Sequence, residues 1–273
     1  MLRKAFLLPI QSGNLFAVFY DSKKVESKEA FLFVPPFADE MNKSRRMISL
    51  QAKAFQAQGH AVLILDLFGT GDSSGDFSET SWEIWKNNLN DAWLWLKEQG
   101  YQTIHFWGIR LGCLLALDTA QQFDLSVSSF IFWQPVTSGE RFVTQLLRLR
   151  IAEKFGQEHN ETVKQLRESY VEGNTLEIAG YTMPSKLLSE ISKLQMGDIE
   201  LSSEVIWMEC SVSDAEILPG SLKVIEYWRS KRVRVKPDCV QGRAFWNSVE
   251  IEEVPHLIER TCAIYQGDRH AYN

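Results

Sequence analysis

The stretch "HFWGIRLGCLLALDTA" (residues 105–120) runs from an apolar strand through Gly108 and Gly112 straight into an Ala/Leu-rich helix. A turn of this kind presents one side chain at the end of a sheet, and acyl-transfer enzymes place Ser, Cys or Asp there. Here the residue is Arg110, whose guanidinium stays protonated and cannot act as a nucleophile. Its chemistry is instead that of a cation. It stands beside a helix N-terminus with free N–H groups, and its fork suits a carboxylate or phosphate. Two readings follow. In the preferred one an internal acid neutralises Arg110, the candidates being Asp39, Glu40 and Asp214, because a buried arginine is seldom left unpaired. In the other, Arg110 holds the anionic head of a ligand. The two are compatible.

The partners that such a turn needs were sought by position. Asp214 in "SVSDAEILPG" follows a strand at 204–210 and precedes Pro219, where an acid would orient a histidine, although a loop Asp also caps turns. In enzymes that use such a turn the base usually stands three residues after a Gly just beyond the final strand; counted from Gly242, that register falls on Phe245. His256 follows Pro255 inside the last helical segment. It reads as an ordinary helix histidine, kept only as an alternative base that would act with Asp214 on a water. His60, His105, His159 and His270 are not placed to serve. Cys113 belongs to the helix after the turn as a buried structural thiol, and Ser73, Ser74 and Ser138 have no histidine beside them. The loop Phe37-Ala38-Asp39-Glu40 stands where an oxyanion loop belongs. Its acidic side chains would oppose a developing negative charge, whereas its backbone N–H groups could still serve. The residues expected to face a ligand are Arg110, Leu111, Phe37, Ala38, Asp39, Glu40 and Phe245; no metal or cofactor motif is found. Lys43, Arg45 and Arg46 read as a solvated helix start.

The elements that must position these residues alternate between strand-length apolar runs and helical periods, as in a mostly parallel α/β sheet. "AFLLPI" and "LFAVFY" predict an opening hairpin. Buried strands follow at 30–37, 61–67, 103–107 and 127–136. Helices are predicted over 43–58, over a Trp-rich face from Trp82 to Leu96, and over 111–122. From 139 to 202 the sequence shows helical periodicity and no convincing strand, which predicts a helical cap inserted in a core made of 1–138 and 203–273. The sheet resumes at 204–210 and within 233–241, with helices near 219–230 and 251–266.

Composition sets the remaining bounds. The 273 residues are 45% hydrophobic and 12% aromatic, ample for a large core. A net charge of −6 argues against nucleic-acid binding. Four widely spaced cysteines match neither a disulfide framework nor a metal site and suit a reducing cytoplasm. Pro9 and Gln11 end the first apolar run too soon for a signal segment. No run reaches the roughly 20 residues of a membrane span.

The element order, with its elbow and its insertion before the strand at 204, is that of the α/β-hydrolase fold. "DLFGTGDSSGDF" (66–77) resembles the Asp-x-x-Gly-x-Gly-x-Ser turn that precedes the elbow in many of its members. Together with "PPFADEMNKSRR", "WGIRLG", "FWQPVTSGERFVTQLLRLRIA" and "IAGYTMPSKLLSEISKL", it resembles one family. That family is the second of the two α/β-hydrolase-superfamily groups associated with the exosortase A system. The resemblance spans nearly the whole chain. It implies a bacterial setting of envelope sorting and exopolysaccharide synthesis, with a protein partner from that machinery, and it brings no substrate. Only Asp214 matches the superfamily's usual catalytic residues. The expectation is a capped pocket that binds an anionic or acyl-type small molecule without the usual triad. The alternative is an ester or thioester hydrolase, or an acyltransferase, with an unusual constellation.

Overall fold

The computed structural model describes residues 3–22, 27–154, 161–213 and 216–267. The chain opens with the hairpin β1 (Arg3–Ile10) and β2 (Gly13–Tyr20). β3 (Glu29–Val34), α1 (Asp39–Ala57), β4 (Ala61–Leu65), α2 (Trp82–Glu98), β5 (Thr103–Ile109), α3 (Leu111–Gln122) and β6 (Ser129–Trp133) follow. After an insert come β9 (Glu204–Ser211), α7 (Pro219–Ser230), β10 (Val235–Gln241) and α8 (Pro255–Gly267). The eight strands named so far form one sheet in the order β1-β2-β4-β3-β5-β6-β9-β10. β2 is antiparallel to both of its neighbours, and every pairing from β4 onward is parallel. Two apolar cores cover the two faces. One packs the Trp-rich side of α2 and the apolar residues of α3 against the sheet; the other packs α1 and α8. This is why the central strands read as unbroken apolar runs.

The insert, 139–202, departs from expectation in one respect. It carries the helices α4 (Gly139–Glu153), α5 (Val163–Val171) and α6 (Ser185–Ser192). Between α5 and α6 lies an antiparallel hairpin, β7 (Leu176–Ile178) with β8 (Tyr181–Met183). Each of these strands has three residues and pairs only with the other, too short to show an alternating pattern. α1 also starts earlier than its apolar face suggested, with Asp39 and Glu40 in its first turn, where the helix dipole favours acids.

The Gly/Ser loop after β4 is a clasp. Ser73 Oγ accepts the Phe16 N–H at 2.9 Å and donates to the Asp66 carbonyl at 2.5 Å, and Ser74 Oγ accepts the Asn14 N–H at 3.0 Å. The buried Asp66 carboxylate accepts from Asp72 N–H at 3.1 Å and from Arg45 Nη2 at 3.3 Å. Both serines are thus committed to holding the hairpin, and neither is free for chemistry.

The elbow rests on close backbone approach. A Cβ on Gly112 would stand 2.4 Å from the Val34 carbonyl and 2.5 Å from that of Pro35. One on Gly108 would stand 2.9 Å from Cys113 Cα. Gly112→Ala must therefore push α3 off β3. We expect a loss of about 3 kcal/mol in urea unfolding.

At the opposite end of the sheet His105 is buried, with Nδ1 2.7 Å from Ser129 Oγ, Nε2 3.0 Å from Tyr265 OH, and its ring stacked on Phe31. Burial, helped by the neighbouring His60, pushes its imidazole from the ordinary 6.5 down to about 3. Above the ordinary value, folded and unfolded chains both carry a neutral ring. Below it only the unfolded chain takes up the proton, so stability is full above about pH 6.5 and falls toward pH 3. Equilibrium unfolding should show a His105 contribution of about 2 kcal/mol lost between pH 6.5 and 5. His105→Gln should flatten that limb by this amount.

Candidate functional site

The sequence predicted an elbow, and the backbone turns where it was expected. Arg110 has φ 55° and ψ −121° between β5 and α3. Its N–H donates to the Trp133 carbonyl at 3.0 Å, and its carbonyl accepts from Cys113 and Val136, each at 3.2 Å. A non-glycine residue in this region carries about 1–3 kcal/mol of strain and persists only where its surroundings impose it. Ala38 repeats the conformation, φ 49° and ψ −123°, between the adjacent strand β3 and α1. Two neighbouring parallel strands thus end in the same strained turn, each opening a helix. Ala38 and Leu111 line a small cavity of about 20 Å³, the space of roughly one water. Among the described residues neither backbone N–H meets a protein acceptor. A pair of free N–H groups beside a turn is what a carbonyl oxygen or oxyanion needs.

Arg110 itself is held on three sides. Nε donates to Glu40 Oε1 at 3.0 Å, Nη1 to the Gln134 carbonyl at 3.4 Å, and the guanidinium lies 5.5 Å from the centre of the Trp246 ring. Of the three acids considered, Glu40 is the one that meets it; Asp39 pairs with Lys43 at 3.0 Å, and Asp214 lies outside the described residues. The pairing has a physical reason. A cation at the N-terminus of α3 opposes the helix dipole, and a carboxylate from the first turn of α1 offsets it. The pair is incomplete, because Glu40 Oε2 is buried without a hydrogen-bond partner among the described residues. Burial pushes the Glu40 carboxyl above the usual carboxylate range, and Arg110 and Lys43 pull it back only in part.

A larger cleft of about 560 Å³ opens above this pair. Its floor is Arg110, Glu40, Asp39 and Lys43, and the opposite wall comes from the insert through Phe142, Leu146, Ile178 and Met183. Phe37 and Ala38 border both spaces, while Leu111 borders only the small one.

Two expectations need correction. Phe245, expected to face a ligand, is wholly buried beneath the elbow against Trp133, with ring centres 6.0 Å apart, and lines neither space. Its neighbour Trp246 is the residue that reaches the cleft, one step along the same register. His256, kept as an alternative base, stands in the first turn of α8 with its side chain 76% exposed and bonded to Glu259 at 3.1 Å. It borders neither space. Cys113 is buried and its thiol is pushed well above its ordinary range. Ser138 caps α4 and accepts from Gln195. Gln134 was missed altogether. It takes φ 46°, gives its carbonyl to Arg110 and accepts the Cys210 N–H with its side chain. No residue-type signal marks a position that acts through its backbone.

Comparison with protein-family models finds none that matches, and comparison with curated proteins finds none either. Solved structures do match. Est1E from Butyrivibrio proteoclasticus, solved with ferulic acid bound, is 14% identical with a TM-score of 0.74, over 96% of this chain and 98% of that one. Alpha/beta hydrolase domain-containing protein 10 from mouse is 16% identical with a TM-score of 0.64, over 99% and 100%. An alpha-beta serine hydrolase homologue from Coxiella burnetii is 13% identical with a TM-score of 0.58, over 96% of both chains. At such identities the likeness is one of fold. Sheet order, elbow and neighbours agree that this chain has the α/β-hydrolase fold.

Proposed function

We propose that the protein is a non-hydrolysing member of this fold, a binding protein for an acyl-type small molecule. The insert 139–202 acts as its cap. The observation that carries the reading is the fate of the two positions that hydrolysis needs. Arg110 occupies the turn and is tied down by Glu40, Gln134 and Trp246, and the residue at the register expected of the base is Phe245, which is wholly buried. What a bound acyl group would use is still present. Its carbonyl oxygen would accept from the Ala38 and Leu111 N–H groups, and its apolar body would lie along Phe142, Leu146 and Met183. Burying such a body at roughly 25 cal/mol per Å² supplies affinity without any chemical step. The proposed setting is the one that the sequence resemblance implies, exopolysaccharide and envelope sorting with an exosortase, at a cytoplasmic location. Among the described residues no helix is long and apolar enough to cross a membrane. The alternative of an active ester or thioester hydrolase gains nothing from the position of His256.

The test is calorimetric titration with methyl ferulate and methyl octanoate, with the ester assayed afterwards. We expect saturable 1:1 binding of at least one ester, recovered intact. Leu146→Glu should weaken it by about tenfold or more through the charge introduced into the apolar wall. Release of the free acid at the rate of a working esterase would overturn the reading, and so would the absence of binding.

A further inference from the structure

Resting on that binding role, we propose that Glu40 is a built-in counter-ion that the ligand replaces, and that the ligand is a monocarboxylic acid with an apolar body. Glu40 meets Arg110 through one oxygen only, at 3.0 Å, and the other oxygen is buried without a partner among the described residues. A buried carboxylate oxygen left without a hydrogen bond keeps its full desolvation penalty. The pair that neutralises Arg110 is therefore not the best one available to either group. On the other side, Arg110 Nη2 has no hydrogen-bond partner among the described residues, and Arg110 lines the cleft. A carboxylate entering from the cleft can take Nε and Nη2 together, the bidentate arrangement a guanidinium favours.

The displaced Glu40 has a destination. Lys43 lies three residues further along α1, so their side chains share one face of the helix. Lys43 is half-exposed, lines the same cleft and holds Asp39 at 3.0 Å, and its charge already acts on Glu40. Glu40 leaving Arg110 would join Asp39 around Lys43 at the solvent edge, where its free oxygen reaches water. One carboxylate replaces another on the guanidinium, and no unpaired charge is left in the interior.

The same bookkeeping of charge selects the ligand class. The cleft holds two cations, Arg110 and Lys43, against three carboxylates, Asp39, Glu40 and Glu153. A phosphate dianion would bring more negative charge than the exchange removes, whereas a monocarboxylate exchanges charge for charge. The Trp246 ring over the guanidinium and the apolar wall from the insert match the body of an aryl or alkyl acid.

Calorimetric titration with ferulate and octanoate, each beside its methyl ester, tests this. Glu40→Gln removes the competitor, and we expect it to bind the acids about tenfold more tightly than the unaltered protein, with the ratio of acid to ester affinity raised accordingly. Arg110→Gln should lower the ratio of acid to ester affinity by about tenfold or more. Lys43→Met, at a half-exposed position, should weaken the acids in the unaltered background and have no further effect when combined with Glu40→Gln. Esters that bind while Glu40→Gln leaves acid affinity unchanged or lowers it would overturn the exchange and leave the binding role standing. Should Glu40→Gln not fold, an unchanged acid affinity in Lys43→Met would overturn it instead. Failure of every acid and ester to bind any form would overturn both.

Discussion

The turn at Arg110 is the constraint on which the rest of the site depends. Parallel strands β3 and β5 end side by side, and each chain must leave the sheet at once to start a helix on one of its two faces. That exit is sharp enough to hold Ala38 and Arg110 at positive φ, and tight enough to exclude any Cβ at Gly108 and Gly112. The strain is local, and the many buried contacts of β5 and α3 hold it in place. Whatever residue stands at 110 is delivered to the same point in space, above the sheet and beneath the insert. The fold fixes the place, and the residue type decides what happens there.

With arginine at that place, the surroundings follow from electrostatics. A cation at a helix N-terminus needs an anion, and α1 supplies it by starting at Asp39 rather than later, which brings Glu40 within 3.0 Å. The Gln134 carbonyl and the Trp246 ring complete the shell without adding charge. Beside the turn, Phe245 packs against Trp133 and Trp246 in an aromatic layer. Arginine at the turn and phenylalanine beside it are consistent with each other. Together they leave one incomplete ion pair on the side that faces the insert.

Much of this was legible in the sequence because it rests on patterns with a direct physical cause. The elbow could be read from Gly108, Arg110 and Gly112, since close approach admits only glycine. The parallel sheet could be read from unbroken apolar runs, and Glu40 was among three acids named as partners of Arg110. What could not be read depended on long-range geometry. The three-residue strands Leu176–Ile178 and Tyr181–Met183 form only because each finds the other, so their own sequences carry no periodic signal. Counting from Gly242 could not tell which of Phe245 and Trp246 turns toward the cleft. Phe245 turned down, and Trp246 turned toward Arg110. Gln134 acts largely through its carbonyl, which every residue type possesses.

The central claim is that this turn presents a cation and no nucleophile, and covalent labelling tests it most directly. The protein is exposed to a fluorophosphonate that modifies activated serines, and its intact mass is then measured. The account predicts an unchanged mass under conditions that fully label an active serine hydrolase. A single stoichiometric adduct that vanishes when one particular Ser or Cys is replaced by Ala would contradict it.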